Sequence, residues 1–320
     1  MKYHPSAVFA LEGSRPFAEQ VATRLEVPLA PHEERAFEDG EHKARPLQGV
    51  RGHDVFVVHS LHGDDMQSAN DKLCRLLFFC GALKDAGAHT VTAVTPYLCY
   101  ARKDRRTKAN DPITTRYVAQ LFEAVGIDRV IAMEVHNLAA FENAFRCPTL
   151  HVEFAPLLAA HFAPLVRDQP VVAVSPDAGG AKREEQFRLE LQRLLKRDVG
   201  SAFIEKYRSG GVVTGELLAG DVRGKVAIVV DDLVSTGGTL VKAARAARAG
   251  GATKVFAAAA HGLLIGGAAE LFAEPALESI VIANAVPAFR VPPAVAAKRL
   301  VVLDVSEAIA NAIMEAHDGV

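Results

Sequence analysis

Residues 229–239, Val-Val-Asp-Asp-Leu-Val-Ser-Thr-Gly-Gly-Thr, carry most of the information in this chain. An apolar run at 226–230 leads into two adjacent acids, a turn of hydroxyl residues and glycines follows, and 240–247 has the pattern of a helix. Adjacent carboxylates at a strand end repel each other in a half-desolvated place, so they contribute poorly to stability. Backbone N–H groups and hydroxyls at a helix N-terminus suit a phosphate. The stretch therefore predicts a site for a phosphorylated polyol, with the acids binding sugar hydroxyls or a metal.

The alternative for this stretch is an ordinary strand–turn–helix connection in which a Ser or Thr caps the helix. Such a connection needs neither the acid pair nor two glycines before Thr239. The phosphorylated-polyol interpretation accounts for both features.

The composition bounds the class of protein. A length of 320 residues suggests two domains or one large one, and 50% hydrophobic with 23% charged residues indicates substantial cores. The formal net charge of -2 argues against a general binder of nucleic acids or anionic membranes. The 4 cysteines have no CxxC spacing and fit reduced thiols. Without a signal-peptide core or a membrane-length apolar stretch, the chain is expected to be cytoplasmic.

The order of apolar runs and helical patterns predicts an α/β fold with buried parallel strands. A helix is expected at 112–125, where Asp111 precedes a proline and fits an N-cap. The alternation of strands and helices occurs twice, with a boundary near 146–153. Two similar domains are therefore expected, at 1–150 and 151–320. Candidate strands are 7–11, 54–59, 90–96, 129–135, 171–175, 226–230, 254–260 and 279–283.

Ligands in such sheets bind beyond the carboxyl ends of the strands, so the residues after each candidate strand are the ones to inspect. Residues 97–106, after the third strand, read Tyr-Leu-Cys-Tyr-Ala-Arg-Lys-Asp-Arg-Arg. Their cations could bind a polyphosphate, because the arginine guanidinium forms bidentate hydrogen bonds with phosphate oxygens. A solvated basic turn is the alternative. His136 ends the next strand, where it is either a hydrogen-bonded structural residue or a ligand of a cation or its water shell.

Two further segments suit phosphate chemistry. Residues 176–183, Pro-Asp-Ala-Gly-Gly-Ala-Lys-Arg, form a second strand–turn–helix pattern in which backbone N–H groups can bind an anion and Asp177 can hold a metal. Lys206 and Arg208 alternate along a possible strand before two glycines, so their side chains point the same way. They form either a lid over a phosphoryl group or an exposed hairpin.

These motifs together resemble the ribose-phosphate pyrophosphokinases (phosphoribosyl pyrophosphate synthetases) over nearly the full chain. The acid pair and Thr-Gly-Gly-Thr turn are shared with phosphoribosyltransferases, whereas Tyr-x-x-Tyr-Ala-Arg-x-Asp-Arg and Ser-Pro-Asp-x-Gly-Gly are specific to the synthetases. The matching blocks are 37–41 (Phe-Glu-Asp-Gly-Glu), 96–106, 111–114, 174–180, 206–208 and 231–239.

The resemblance implies two phosphoribosyltransferase-like domains, each a mainly parallel sheet flanked by helices, with the ATP side in 1–150 and the ribose-5-phosphate side in 151–320. It implies Mg²⁺-dependent transfer of the diphosphoryl group of ATP to the anomeric hydroxyl of ribose 5-phosphate, giving AMP and phosphoribosyl pyrophosphate. It also implies a homo-oligomer in which a neighbouring subunit completes the ATP site, with neither nucleic acid nor membrane as a partner.

The resemblance also assigns roles to residues. It implies catalytic roles for Lys206 and Arg208 and magnesium contacts for His136 and Asp177. The remaining assignments are ATP contacts by Phe37, Asp39, Glu41, Arg102, Lys103, Asp104 and Arg105; diphosphate contacts by Asp177, Ala178, Gly179 and Gly180; and ribose-5-phosphate contacts by Asp231, Asp232, Ser235, Thr236, Gly237, Gly238 and Thr239.

The chain departs from the common pattern of that family at three positions. Lys103 stands where many members carry Gln, Glu134 replaces a common Asp, and Ser235 replaces an acid, as in the archaeal-type branch. Oligomer size, ADP inhibition, phosphate activation and nucleotide preference are therefore not carried over. The alternatives are a phosphoribosyltransferase, which leaves half of the chain unexplained, and a non-catalytic synthetase-associated subunit, although His136, Asp177, Lys206 and Arg208 are all present.

Overall fold

A computed structural model describes residues 7–209 and 212–318, with the backbone alone for 206–209, 212–216 and 318. The chain divides into two compact units, Met1–Val152 with Val305–Val320 and Glu153–Asp304. The first boundary lies within the range expected from the sequence. The C-terminal segment belongs to the first unit, however, which differs from the expected range 151–320.

The first unit is built on a five-stranded parallel sheet and a separate two-stranded hairpin. Its strands are β1 (Ala7–Ala10), β2 (His32–Ala36), β3 (His42–Pro46), β4 (Asp54–Val58), β5 (Thr90–Thr95), β6 (Arg129–Met133) and β7 (Thr149–Val152). Its helices are α1 (Arg15–Arg24), α2 (Ala69–Asp85), α3 (Thr114–Ala124), α4 (Leu138–Ala144) and, at the C-terminus, α10 (Ser306–Asp318). The sheet order is β1-β4-β5-β6-β7, and β2 pairs with β3.

Local signals explain the helices of this unit. Ser68 and Asp71 form a reciprocal capping box at the start of α2, whose leucines face the core. The apolar stripe of α10, with Ile309 and Ile313 buried, packs against α1, β6 and β7. That packing explains why the C-terminal segment joins the first unit.

The second unit is built on a seven-stranded sheet with the order β10-β9-β8-β11-β12-β13-β14. Its strands are β8 (Val171–Ser175), β9 (Gly200–Ser209), β10 (Val212–Ala219), β11 (Val226–Val234), β12 (Lys254–Gly262), β13 (Ile280–Ala283) and β14 (Leu300–Leu303). Its helices are α5 (Ala155–Leu165), α6 (Ala181–Leu195), α7 (Gly238–Ala249), α8 (Ala269–Ala273) and α9 (Pro293–Arg299). All neighbouring strands are parallel except the β9–β10 pair.

The expected fold class is confirmed, since each unit is a mainly parallel sheet flanked by helices. The central strands are buried and apolar, as a sheet covered on both faces requires. Within the described part of the chain, no helix is both long and apolar enough to cross a membrane.

Candidate active site

The acid pair of the second unit lies inside β11, not after it. The sequence predicts a strand at 226–230, whereas β11 continues to Val234. Its ladder with β8 reaches Val229, but its ladder with β12 runs on through Asp231 to Val234. In the described ladders, Asp231 and Asp232 therefore lie where β11 pairs with β12 alone.

Both carboxylates of the pair are largely withdrawn from solvent. The side chains of Asp231 and Asp232 are 20% and 6% exposed. The N–H group of Asp232 donates to Oδ1 of Asp231 over 2.9 Å. Burial raises the pKa of Asp231, and the adjacent Asp232 raises it further. Such a pair destabilises the fold and is suited to accept sugar hydroxyls or to hold a cation.

Arg183, near the start of α6, faces the acid pair. Its Nη1 atom lies 3.9 Å from Oδ1 of Asp231 and 3.9 Å from Oδ1 of Asp232. Its charge lowers the pKa of Asp231 and so opposes the effect of burial. The sequence shows this cation after the second glycine turn, but nothing in its spacing indicates that it reaches another strand.

The turn at 235–239 depends on one glycine. Gly237 has a φ of +91°, and a Cβ there would lie 2.7 Å from the Cβ atom of Leu271. Both the backbone conformation and the close approach exclude a side chain. Thr236 and Thr239 are exposed, Ser235 is half-buried, and α7 begins at Gly238. The turn thus presents hydroxyls beside the N-terminus of a 12-residue helix, as the sequence predicts for a phosphate.

In the second turn, residues 177–180, the Asp177 carboxylate accepts hydrogen bonds from the turn's own N–H groups. Oδ1 of Asp177 accepts hydrogen bonds from the N–H groups of Gly179, at 2.9 Å, and Gly180, at 3.2 Å. The Ser175 hydroxyl donates to the Asp177 carbonyl over 2.6 Å, and a Cβ on Gly180 would lie 2.7 Å from that hydroxyl. The Asp177 carboxylate stands where an anion would meet these N–H groups. Ala178 follows it in a short 3-10 turn.

One cavity lies beside the 235–239 turn, with Pro176 on its wall. Its volume is about 260 Å³, and Pro176 precedes one turn while Thr236, Gly238 and Thr239 belong to the other. Lys242, one helical turn further along α7, also lines the cavity. The sequence analysis does not assign Lys242 a role, although its spacing from Thr239 places both on one face of the helix. The remaining lining residues are Ile204 and Ala243.

The basic block of the first unit forms a loop after β5. Arg102 and Arg105 are exposed, whereas Lys103 is half-buried and its Nζ donates to Oδ2 of Asp111 over 2.6 Å. Asp104 accepts from Nδ2 of Asn137 over 2.6 Å, which ties the loop to the segment after β6. The cations lie at the carboxyl end of a parallel strand, where the sequence predicts a polyphosphate site.

Asp111 is not the N-cap that the sequence predicts. The α3 helix begins at Thr114, and its N-cap position is Ile113, without a side-chain cap. The Asp111 carboxylate instead accepts bonds from Lys103 and from the N–H groups of Thr107, at 2.9 Å, and Lys108, at 3.0 Å. The hydrogen bond from Lys103, followed by those from Thr107 and Lys108, lowers the pKa of Asp111. Bonds within the loop compete with capping and win here.

The predicted adenine-contacting residues lie at the tip of the β2–β3 hairpin. The N–H group of Phe37 donates to the carbonyl of Glu41 over 2.8 Å, and the N–H group of Glu41 donates to Oδ1 of Asp39 over 3.1 Å. The Arg35 guanidinium lies 5.0 Å from the centre of the exposed Phe37 ring. The tip of the hairpin therefore carries an exposed aromatic ring together with the carboxylates of Asp39 and Glu41.

His136 is exposed at the end of β6, and Glu134, two residues before it, is buried with a φ of +43°. Among the described residues, no three His, Cys, Asp or Glu side chains form a metal-ligating cluster.

Lys206 and Arg208 both belong to β9, as their alternation predicts. In the pairing with β10, Lys206 lies opposite Glu216 and Arg208 opposite Val213. Their side chains lie outside the part of the chain that the structure describes, so the proposed lid stays a prediction.

Comparisons with known proteins agree with the geometry. A sequence model of the N-terminal domain of ribose phosphate pyrophosphokinase matches residues 6–126, and one of the phosphoribosyl synthetase-associated domain matches residues 215–320. The ribose-phosphate pyrophosphokinase of Caldanaerobacter subterraneus subsp. tengcongensis is 37% identical over 98% of this chain and 95% of its own length. Ribose-phosphate pyrophosphokinase 1 of Streptococcus agalactiae is 33% identical over 99% of this chain and 96% of its own.

The fold comparison reaches the same family. The crystal structure of phosphoribosylpyrophosphate synthetase from Mycobacterium smegmatis superposes with a TM-score of 0.87 at 31% sequence identity. The match covers 98% of this chain and 99% of the other.

Proposed function

This chain belongs to the ribose-phosphate pyrophosphokinase family, and from that premise we propose that it transfers the diphosphoryl group of ATP to the anomeric hydroxyl of ribose 5-phosphate. The products are AMP and phosphoribosyl pyrophosphate. The full-length relatives bear the name of an enzyme, so neither a phosphoribosyltransferase nor a non-catalytic subunit is favoured.

The cavity beside the 235–239 turn is the observation that supports this proposal. Its wall combines Thr236, Gly238 and Thr239 with Pro176, and the acid pair lies on β11, the strand that leads into that turn. The 235–239 turn suits the 5-phosphate of the sugar, and the carboxylates of β11 suit its hydroxyls. The 177–180 turn suits the diphosphate that is added at the anomeric position.

On the sugar side, each group has a defined task. The α7 N-terminus, with Ser235, Thr236, Gly237, Gly238 and Thr239, binds the 5-phosphate through N–H groups and hydroxyls. Asp231 and Asp232 accept hydrogen bonds from the ribose hydroxyls. In the second turn, Ala178, Gly179 and Gly180 offer N–H groups to the incoming diphosphate once Asp177 releases them.

On the nucleotide side, positively charged side chains bind the ATP phosphates. Arg102 and Arg105 bind ATP phosphates, and Lys103 adds a charge held in place by Asp111. Asp104 fixes the loop through Asn137. Phe37, Asp39 and Glu41 approach the adenine of a neighbouring subunit, which makes the working enzyme a homo-oligomer. Stacking by the ring and hydrogen bonds to the carboxylates suit a base with an exocyclic amine.

The reaction forms one bond and breaks one. The anomeric oxygen attacks the β-phosphorus of ATP, the bond from that phosphorus to the bridging α-phosphate oxygen breaks, and the hydroxyl proton passes to solvent. Such a transfer needs alignment and charge neutralisation more than covalent help. Lys206 and Arg208 place positive charge where negative charge develops.

His136, in the first unit, and Asp177, in the second, are the residues predicted from the sequence to contact Mg²⁺. When bound, the ion neutralises phosphate charge and orients the triphosphate. A cytoplasmic site of action stays a prediction from the sequence.

The test is a turnover assay on the purified full chain. We expect AMP to form from ATP only when ribose 5-phosphate and Mg²⁺ are both present. Formation of ADP in place of AMP, or AMP formation without the sugar, would contradict the proposed reaction. Asp221→Asn, an exposed acid outside the cavity, serves as the unaffected control.

A further inference from the structure

Arg183 ends the second strand–turn–helix pattern and lies close to the acid pair of the first. Its Nη1 atom is 3.9 Å from a carboxylate oxygen of Asp231 and 3.9 Å from one of Asp232. The same atom is 3.9 Å from the position that a Cβ on Gly180 would take. One guanidinium therefore spans the second turn and the acid pair.

The burial of this side chain makes its charge effective. Arg183 is 12% exposed at the side chain, and the acids that it faces are 20% and 6% exposed. Charges withdrawn from water interact more strongly than surface charges at the same distance. Without a nearby cation, two adjacent buried carboxylates would repel each other and take up a proton.

The distance is as informative as the charge. At 3.9 Å, Nη1 lies beyond hydrogen-bond distance from both Oδ1 atoms, so it acts on them through its charge. In a closer bidentate pair the guanidinium would occupy oxygens that a sugar hydroxyl needs.

We propose that Arg183 is a positioning residue that keeps Asp231 and Asp232 correctly oriented for the hydroxyls of ribose 5-phosphate. This inference rests on the proposed function, since it concerns the sugar side of that reaction. Arg183 acts through the acids and not by contact with the reacting phosphate. Its loss therefore weakens sugar binding and leaves ATP binding intact.

The experiment compares Arg183→Met, Arg183→Lys and Arg193→Met in the full chain. Arg193 lies on the same helix, is exposed and pairs with Glu190, so its substitution controls for loss of an arginine from α6. We expect Arg183→Met to raise the KM for ribose 5-phosphate at least about tenfold, with the KM for ATP within about twofold. Arg183→Lys should recover part of the loss, because it restores the charge but not the planar group.

A second substitution separates positioning from direct contact. On an Asp232→Asn background the acid pair no longer carries two charges, so Arg183→Met should lower kcat/KM by less than about threefold further. Equal losses on both backgrounds, or parallel rises in both KM values, would overturn the inference. Equal melting temperatures of the folded variants exclude a general loss of structure.

The inference and the proposed function fail in different ways. If the unsubstituted chain forms no AMP, the reaction is wrong, and calorimetric titration with ribose 5-phosphate then tests Arg183 by itself. If the unsubstituted chain is active and Arg183→Met keeps its sugar KM, only the inference is wrong.

Discussion

The acid pair of the second unit and Asp111 of the first unit are carboxylates in opposite situations. Asp231 and Asp232 lie buried in the last part of β11, and burial raises the pKa of Asp231. Asp111 lies in an irregular loop, where bonds from Lys103, Thr107 and Lys108 lower its pKa. The first arrangement weakens the fold, at the site proposed to bind the sugar, whereas the second holds its loop together.

The difference separates two ways of building a phosphate site. The sugar side is set into the sheet and a helix N-terminus, so its shape depends on packing and backbone conformation. The nucleotide side rests on exposed cations fixed by side-chain bonds. Substitutions should therefore affect stability and sugar binding in the second unit, and ATP affinity in the first.

The largest expected effect is on the turn that packing fixes. Gly237→Ala should lower the free energy of unfolding by about 3 kcal/mol, because it adds a left-handed residue and a clash with Leu271. Gly238→Ala is the matched control, since a Cβ there meets nothing within 4 Å. Denaturant unfolding of both variants measures the contrast. Similar stabilities for the two would show that packing does not fix this turn.

The next effect separates function from stability. Asp232→Asn should lower kcat/KM for ribose 5-phosphate at least roughly 100-fold, because it removes a charged hydroxyl acceptor. It should not lower the free energy of unfolding, since it also removes the repulsion with Asp231. Steady-state kinetics and thermal unfolding on one preparation test both parts. A destabilised variant with normal turnover would reverse the interpretation of the acid pair.

A smaller effect is expected from the loop. Asp111→Asn should raise the KM for ATP about three- to tenfold, because Lys103 and the backbone of Thr107 lose their shared acceptor. The KM for ribose 5-phosphate should stay unchanged. Asp85→Asn, an exposed acid at the end of α2, is the control. An unchanged ATP KM in Asp111→Asn would show that the loop does not need this anchor.

The smallest expected effect is on the pH dependence of stability, which should change in opposite directions for substitutions of Asp231 and of Asp111. The pKa of Asp231 is raised on folding, so its contribution is lost as pH rises above the ordinary carboxyl range. Asp231→Asn should therefore gain stability relative to the unsubstituted chain between about pH 4 and about pH 7. The pKa of Asp111 is lowered, so its contribution to stability is present above the ordinary carboxyl range and lost in acid. Asp111→Asn should differ from the unsubstituted chain by a constant amount at neutral pH and converge with it in acid.

Much of the fold could be predicted from the sequence, because buried parallel strands are apolar runs and helices end at glycines. The candidate strand 171–175 matches β8, and the helical pattern at 240–247 lies within α7. The β2–β3 hairpin was missed, since its strands, such as His32–Ala36, are polar and only partly buried. The sequence does not predict that α10 packs on the first unit, because the periodicity of a helix shows its apolar face but not the element that this face contacts.

The site divides in the same way. The acid pair and both glycine turns are local patterns, so the sequence shows them. The extension of β11 through the acids depends on the length of β12, and the reach of Arg183 depends on how α6 lies against the strand. The predicted role of Asp111 as an N-cap is wrong, because an acid before a helix has the same local sequence pattern whether it caps the helix or accepts bonds within the preceding loop. Contacts of long range decided each of these points.

The central claim is that the two terminal phosphates of ATP move together onto the sugar. The most direct test uses ATP labelled with ³²P at the γ-position in one sample and at the α-position in another, each with ribose 5-phosphate and Mg²⁺. The account predicts that the γ-label appears on the sugar product and the α-label in AMP. Appearance of the γ-label as free phosphate, or of the α-label in ADP, would contradict it.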